Sequence, residues 1–184
     1  MSNLFEPDYT FDSFVVTPHN EMAFNAAQAI AREPGARYNP FFLYGDTVSG
    51  KTHLLHAIGN AASKEKDYLG TLYVSGKQFY SDIVYALKKH KLTLFYRNYQ
   101  KSALLMIDDF DVFEHKDVEQ NAAIRLFDAM WKSKKQVIVT SRLPSRRFPI
   151  MEEYFYSSYD TGLICNVIPP DGLMANKALI PWLD

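Results

Sequence analysis

Eight residues, Gly45-Asp46-Thr47-Val48-Ser49-Gly50-Lys51-Thr52, spell G-x-x-x-x-G-K-T, a spacing that wraps a phosphate chain. Glycines let the backbone aim its N–H groups inward, and a helix opening at the loop's end adds the positive pole of its dipole. In such a loop Gly45, Ser49 and Gly50 form the cradle, Lys51 reaches the terminal phosphates, and the Thr52 hydroxyl ligates Mg²⁺. A nucleotide polyphosphate with Mg²⁺ is the cofactor this spacing predicts. Two positions resist it. Asp46 sets a like charge beside a polyphosphate. Val48 stands where many such loops carry glycine, and if the position needs a positive φ, a β-branched residue costs about 1–3 kcal/mol. The loop therefore reads two ways: as a working nucleotide site, or as a fold element whose nucleotide binding is weakened or lost.

A second group lies some fifty residues on. Ala103-Leu104-Leu105-Met106-Ile107 is a near-continuous apolar run that ends in Asp108-Asp109. Such a run fits a strand buried on both faces of a parallel sheet, and acids at its carboxyl end lie where open α/β sheets take ligands. Asp108 is expected to hold Mg²⁺ and Asp109 to sit near the attacking water, which makes this pair the candidate catalytic residues. Between the two groups, Lys88, Lys89, His90, Lys91, Arg97 and Lys101 interleave with Phe95, Tyr96 and Tyr99. Basic groups beside aromatics suit a single-stranded nucleic-acid groove; a solvated helical face has the same composition. His53 and His56 lack a third ligand at metal-binding spacing and are expected to form polar faces of a helix.

Positioning these groups requires alternating strands and helices. Asn20 is placed to cap a helix over 20–32 that buries Ala23, Ala27, Ile30 and Ala31 and ends at Pro34-Gly35. Strands are predicted at 41–44, 71–74, 103–107, 136–140 and 163–168. Helices are predicted at 51–63, 77–89, 92–99 and 117–133. Residues 1–18 form an extended arm anchored by Phe5, Tyr9, Phe11, Phe14, Val15 and Val16, and 19–184 one α/β subdomain. The alternation implies a parallel sheet covered on both sides.

At 184 residues, with 47% hydrophobic and 15% aromatic content and a net charge of −1, the chain fits one globular domain with a sizeable core. The charge balance gives no whole-molecule attraction to nucleic acid. No apolar run is long enough to span a bilayer, the first residues lack a secretory pattern, and the single Cys165 reads as packing in a reducing interior. The expectation is a cytoplasmic protein with no membrane partner.

Several blocks resemble one family: Tyr9-Thr10-Phe11-Asp12-Ser13-Phe14-Val15-Val16, Tyr38-Asn39-Pro40-Phe41-Phe42-Leu43-Tyr44-Gly45, Gly50-Lys51-Thr52-His53-Leu54-Leu55-His56-Ala57-Ile58-Gly59-Asn60, and Leu105-Met106-Ile107-Asp108-Asp109. They are similar to the AAA+ domain of the bacterial replication initiator DnaA and its shortened relatives, including the regulator Hda. The resemblance implies a three-layer α/β/α P-loop fold with a five-stranded parallel sheet, an ATP/Mg²⁺ site, and a role in chromosome replication in a bacterial cytoplasm. It places Phe14 and Val15 near the adenine, Lys51 and Thr52 at phosphate and Mg²⁺, and Asp108 and Asp109 at the Walker B pair. It also puts Val84 and Lys88 in the helices of the single-strand-contacting insertion, and Lys116 on the same DNA surface.

The departures from the family pattern are as informative. Val118 replaces a second basic residue of that surface, and Arg142 stands where the family has a sensor aspartate. The two arginines of the finger motif are Tyr154 and Ser158. The resemblance stops short of a helical lid and of a helix-turn-helix, so no reading of duplex DNA is expected. A finger is worth 10³–10⁵ in rate where one is used. The expectation is an accessory protein with weak or no ATPase that binds the initiator or other replication proteins, the sliding clamp or helicase among them, with Tyr154 and Phe155 as interface anchors. Two alternatives stay open: a slow, partner-assisted nucleotide switch and a single-stranded-DNA module. Asn3-Leu4-Phe5 loosely resembles clamp-docking peptides but lacks their leading glutamine.

Overall fold

The computed structural model describes residues 5–64, 70–157 and 162–170; of residues 156 and 157 only the backbone is described. Its elements, in order, are α1 (Glu21–Arg32), β1 (Phe41–Tyr44), α2 (Lys51–Ala62), β2 (Thr71–Ser75), α3 (Gly76–Lys88), α4 (Leu92–Tyr99), β3 (Leu104–Asp108), α5 (Asp117–Lys132), β4 (Gln136–Ser141), α6 (Pro149–Ser157) and β5 (Leu163–Asn166). Short 3₁₀ turns at Phe110–Phe113 and Ser145–Arg147 follow β3 and β4. All five strands pair in parallel, in the order β2-β3-β4-β1-β5.

Strand alternation divides the core in two. Phe41 and Leu43 of β1, Leu104 and Met106 of β3, and Ile138 of β4 face α1 and α2, where Ala27, Ile30, Leu54, Leu55 and Ile58 meet them. Phe42, Leu105, Ile107, Val137 and Val139 face the opposite layer, built on Phe79, Ile83, Phe127, Met130 and Phe148. Cys165 is buried in the first layer, and burial pushes its thiol up to about 11, so it packs and does not react at neutral pH.

Four local expectations need correction. Asn20 lies at the start of α1 without capping it by side chain; its amide instead accepts from the Thr17 N–H at 2.8 Å and donates to the Val15 carbonyl at 3.1 Å, bracing the preceding turn. Val15 and Val16 do not anchor the N-terminal segment, being 60% and 43% exposed, whereas Phe5, Phe11 and Phe14 are packed. The histidines of α2 are not polar faces turned to water. His56 is buried and accepts the Glu6 N–H at 3.0 Å, while His53 stacks on Tyr9 at 4.8 Å and binds the Thr10 carbonyl at 2.8 Å. Phe5 is no exposed clamp-docking side chain either. It lies against Gly59, where an added Cβ would meet its ring at 2.4 Å, and Asn3 and Leu4 lie outside the described residues.

Candidate functional site

The strand order dictates what the site contains. The phosphate loop leaves β1 and the carboxylate pair leaves β3, and these strands are not neighbours: β4 lies between them. The loop, the acids and the end of β4 therefore converge at the carboxyl ends of the three central strands. Thr140, Ser141 and Arg142 enter a site that the spacing of the phosphate loop alone does not reveal.

In the loop, positive φ falls on Gly45 (151°) and Gly50 (97°), and Val48 is not among the residues with positive φ. The strain considered for Val48 is therefore absent. Asp46 is exposed, while Ser49 and Lys51 are buried. Gly50 forms the N-cap of α2 and brings no capping side chain, so the first-turn N–H groups point into the loop. Lys51 Nζ lies in the cradle itself, donating to the carbonyl oxygens of Gly45 and Asp46 at 2.7 Å each and to Ser49 Oγ at 3.3 Å. Burial holds its ammonium below the usual lysine range, against the pull of Asp109, Asp108, Asp111 and Asp46. An arriving phosphate would replace those carbonyls as the acceptor.

Asp108 is surrounded by hydroxyl donors. Thr52 Oγ1 donates to Oδ2 at 3.2 Å, Tyr73 Oη to the same oxygen at 2.9 Å, and Thr140 Oγ1 to Oδ1. Thr140 Oγ1 also accepts the Asp109 N–H at 3.0 Å. Asp109 takes a left-handed backbone (φ 60°, ψ 64°) and is partly exposed. Its carboxyl is raised above its ordinary value, first by partial burial and then by Asp108 and Asp111, with Lys51 and Arg142 opposing. The Thr52 hydroxyl and the Asp108 carboxylate, held side by side at the helix opening, form an all-oxygen donor set suited to Mg²⁺.

Phe14 is also brought in. Its ring packs on Gly50, where a Cβ would meet it at 2.8 Å, stacks on Phe24 at 5.6 Å and meets His53 edge-on at 5.2 Å. Val15 stands exposed beside it. Beyond the loop a cleft of about 970 Å³ opens between Asp46, Thr47, Ser75, Lys77, Asp109, Asp111 and Arg142. Asp111 receives the Arg142 N–H at 3.0 Å and its Nε at 3.4 Å.

The expected interface pair is corrected. Tyr154 and Phe155 are only 6% and 5% exposed, and Phe155 meets Phe42 at 5.5 Å. They are core residues of this chain and offer no surface anchor; Ser158 lies outside the described residues. On the far layer Val84 is half-buried, while Lys88 and Lys116 are exposed, and Lys116 precedes α5. The sequence reading missed Tyr73, Thr140 and Asp111. Asp111, two residues after Asp109, was the one visible there as a third acid.

A parallel sheet in this order, with a phosphate loop after its first strand and an acidic pair closing its third, defines a P-loop domain of the AAA+ class. The chain belongs to the bacterial DnaA ATPase domain family, whose model matches residues 5–166. It is 38% identical over 165 residues to the chromosomal replication initiator protein DnaA of Thermus thermophilus, covering 90% of this chain and 38% of that protein. Domain III of the Thermotoga maritima replication initiation protein DnaA superposes with a TM-score of 0.79 at 33% identity, covering 92% of this chain and 70% of that one. A replication initiator DnaA bound to AMPPCP and single-stranded DNA gives 0.76 at 29%, covering 90% and 51%. The chain thus spans less than half the length of the full initiators it matches.

Proposed function

We propose that this protein is a nucleotide-holding DnaA-like module that acts in bacterial chromosome replication or its regulation, in the cytoplasm, by binding the initiator or another replication protein, with little or no hydrolysis of its own. The observation that carries the reading is an asymmetry within the site. The cradle, Lys51, Thr52 and the Asp108 carboxylate are assembled within hydrogen-bonding distance. Of the two positions at which the family resemblance places the arginines of the finger motif, neither holds one: Tyr154, buried in the core, stands at the first and Ser158 at the second. Lys51 takes the phosphates, Thr52 and Asp108 hold Mg²⁺, which when bound neutralises phosphate charge, and Phe14 with Val15 borders the base. Asp109 faces the cleft as the only group of the pair placed to orient a water. The AMPPCP-bound relative supports the nucleotide.

Co-elution with the full-length initiator of the same organism tests this role, with Mg-ADP, with Mg-ATP and without nucleotide. Co-elution that depends on nucleotide is expected; its absence in all three conditions rejects the accessory role.

A second reading concerns single-stranded DNA, which one relative is described as binding. From residue 83 to residue 101 the chain carries Lys88, Lys89, Lys91, Arg97 and Lys101 and no acid, on exposed positions of α3, α4 and their flanks. With Val84 and Lys116 this makes a DNA-contacting face. Binding to oligonucleotides should weaken steeply with salt and fall when Lys88 and Lys91 are neutralised.

A further inference from the structure

A module that binds another protein needs a surface for it, and Tyr154 and Phe155, both core residues, supply none. The helix pair α3 and α4, on the layer opposite α1 and α2, offers one. The two helices form a hairpin tied at both ends. At the turn the Lys91 N–H donates to the Ala86 carbonyl at 2.8 Å, and at the open end Tyr99 Oη donates to the Asp82 carboxylate at 2.6 Å. Phe95 and Tyr99 pack inward on Phe79, at 5.8 and 5.2 Å. Between the ties lies a hollow of about 230 Å³, walled by Tyr85 and Ala86 of α3 and by Leu94, Phe95 and Asn98 of α4. Tyr85 and Leu94 stand at its mouth, 57% and 41% exposed.

Size and charge say what fits there. The hollow is smaller than the about 300–1,000 Å³ of small-molecule sites, and it has room for one large apolar side chain, the usual anchor of a protein contact. Its rim is positive. Lys91 borders it, Lys88 and Lys89 follow Tyr85 by three and four residues, and Arg97 and Lys101 follow Leu94 by three and seven, spacings that share a helix face. Among the described residues none of these five cations has a carboxylate within ion-pair distance. Asp82, the one acid of the lining, has both oxygens engaged, by Tyr99 Oη and by Gln78 Nε2 at 2.8 Å. Unmatched positive charge around an apolar socket selects an acidic partner. The same cations carry the DNA reading, but bases stacked along them need exposed rings, and of the rings on these two helices only Tyr85 is exposed.

We propose that the α3–α4 groove docks an acidic segment of a partner protein, which seats one large apolar side chain between Tyr85 and Leu94 and sets its carboxylates against the surrounding lysines and Arg97. The proposal rests on the protein-binding reading above and names its surface. The groove occupies the last two turns of α3, whereas Lys77, which borders the nucleotide cleft, lies in the first; docking leaves that cleft open.

Fluorescence anisotropy of the purified protein tests it with three labelled probes: a peptide of aspartates and glutamates around one phenylalanine, the same peptide with alanine at that position, and an oligo(dT) strand. The wild type should prefer the phenylalanine peptide about tenfold, the worth of one seated anchor. Tyr85→Ala and Leu94→Ala, both at exposed positions, should each remove most of that preference and change oligo(dT) affinity by less than about twofold. Lys91→Gln should weaken both peptides alike, about threefold. Equal binding of the two peptides, or none of either, overturns the proposal. So does a Leu94→Ala variant that loses oligo(dT) as strongly as the phenylalanine peptide, which assigns the groove to nucleic acid. Co-elution with the initiator judges the underlying reading separately. Co-elution unchanged by Tyr85→Ala with Leu94→Ala keeps that reading and overturns this surface, while a peptide preference without co-elution keeps the groove and retires the initiator as its partner.

Discussion

Asp108 shows how much of a site a motif leaves unstated. The run that ends in Asp108-Asp109 and the G-x-x-x-x-G-K-T loop are both legible as spacing along the chain, and the fold brings them together at Thr52 Oγ1 and Asp108 Oδ2. Tyr73 and Thr140 were not legible, because a hydroxyl inside an apolar strand becomes a ligand-orienting group only once strand order is known. Thr140 is fully buried and satisfies both Asp108 and the Asp109 N–H. Thr140→Val preserves its shape and removes both bonds, so unfolding should become easier by about 1–3 kcal/mol, read from a denaturant midpoint. His56 makes a second prediction at this scale. Its imidazole is held below its ordinary 6.5, chiefly by burial, with Asp108 and Glu6 opposing and His53 assisting. The unfolded chain therefore binds more protons than the folded one from about pH 6.5 down to the folded value. Stability is complete above that window and declines as pH falls through it. Melting temperatures between pH 7.5 and 5.5 should fall, and His56→Gln should flatten the slope; a slope unchanged in that variant contradicts the assignment.

At the scale of elements, the N-terminal segment is clasped to α2 more closely than its sequence suggests. Phe5 lies over Gly59, Glu6 donates to His56, Asn60 donates to the carbonyls of Glu6 and Tyr9 at 2.8 and 2.9 Å, and Tyr9 and Thr10 hold His53. The helix that carries Lys51 and Thr52 at one end is thus strapped along its length. Gly59→Ala separates two effects. Helix propensity alone favours alanine by about 1 kcal/mol, but here the new methyl displaces the Phe5 ring, and overpacking costs about 1–3 kcal/mol. Net destabilisation is expected, together with faster exchange of the Glu6 amide; a stabilised variant would show that Phe5 is not seated there. Periodicity revealed α1, α2, α3 and α5, whose apolar residues recur on one face. It gave no sign of α6: Pro149-Ile150-Met151 opens it, and Tyr154 and Phe155 turn inward, so aromatics that read as surface anchors proved to be core.

For the molecule as a whole, the alternation of strands and helices made the three-layer parallel fold readable, and the family blocks fixed its class. Sequence could not say which strands were neighbours, and that order decides the chemistry of the cleft by putting β4 between the cradle and the acids. The resulting body has a cradle with its lysine, threonine and aspartate in place, an acidic cleft tempered by Arg142, and tyrosine and serine at the two arginine positions of the resembled finger motif. It should hold a nucleotide and leave it intact. The direct test is to incubate the purified protein with α-³²P-labelled ATP and Mg²⁺, separate the protein from free nucleotide, and resolve what remains bound. Close to one nucleotide per chain is predicted, still mostly ATP after minutes, as expected for a P-loop protein turning over on the order of 10⁻³ s⁻¹ or slower without a finger. Bound nucleotide recovered as ADP within seconds, or no bound nucleotide at all, would contradict the account.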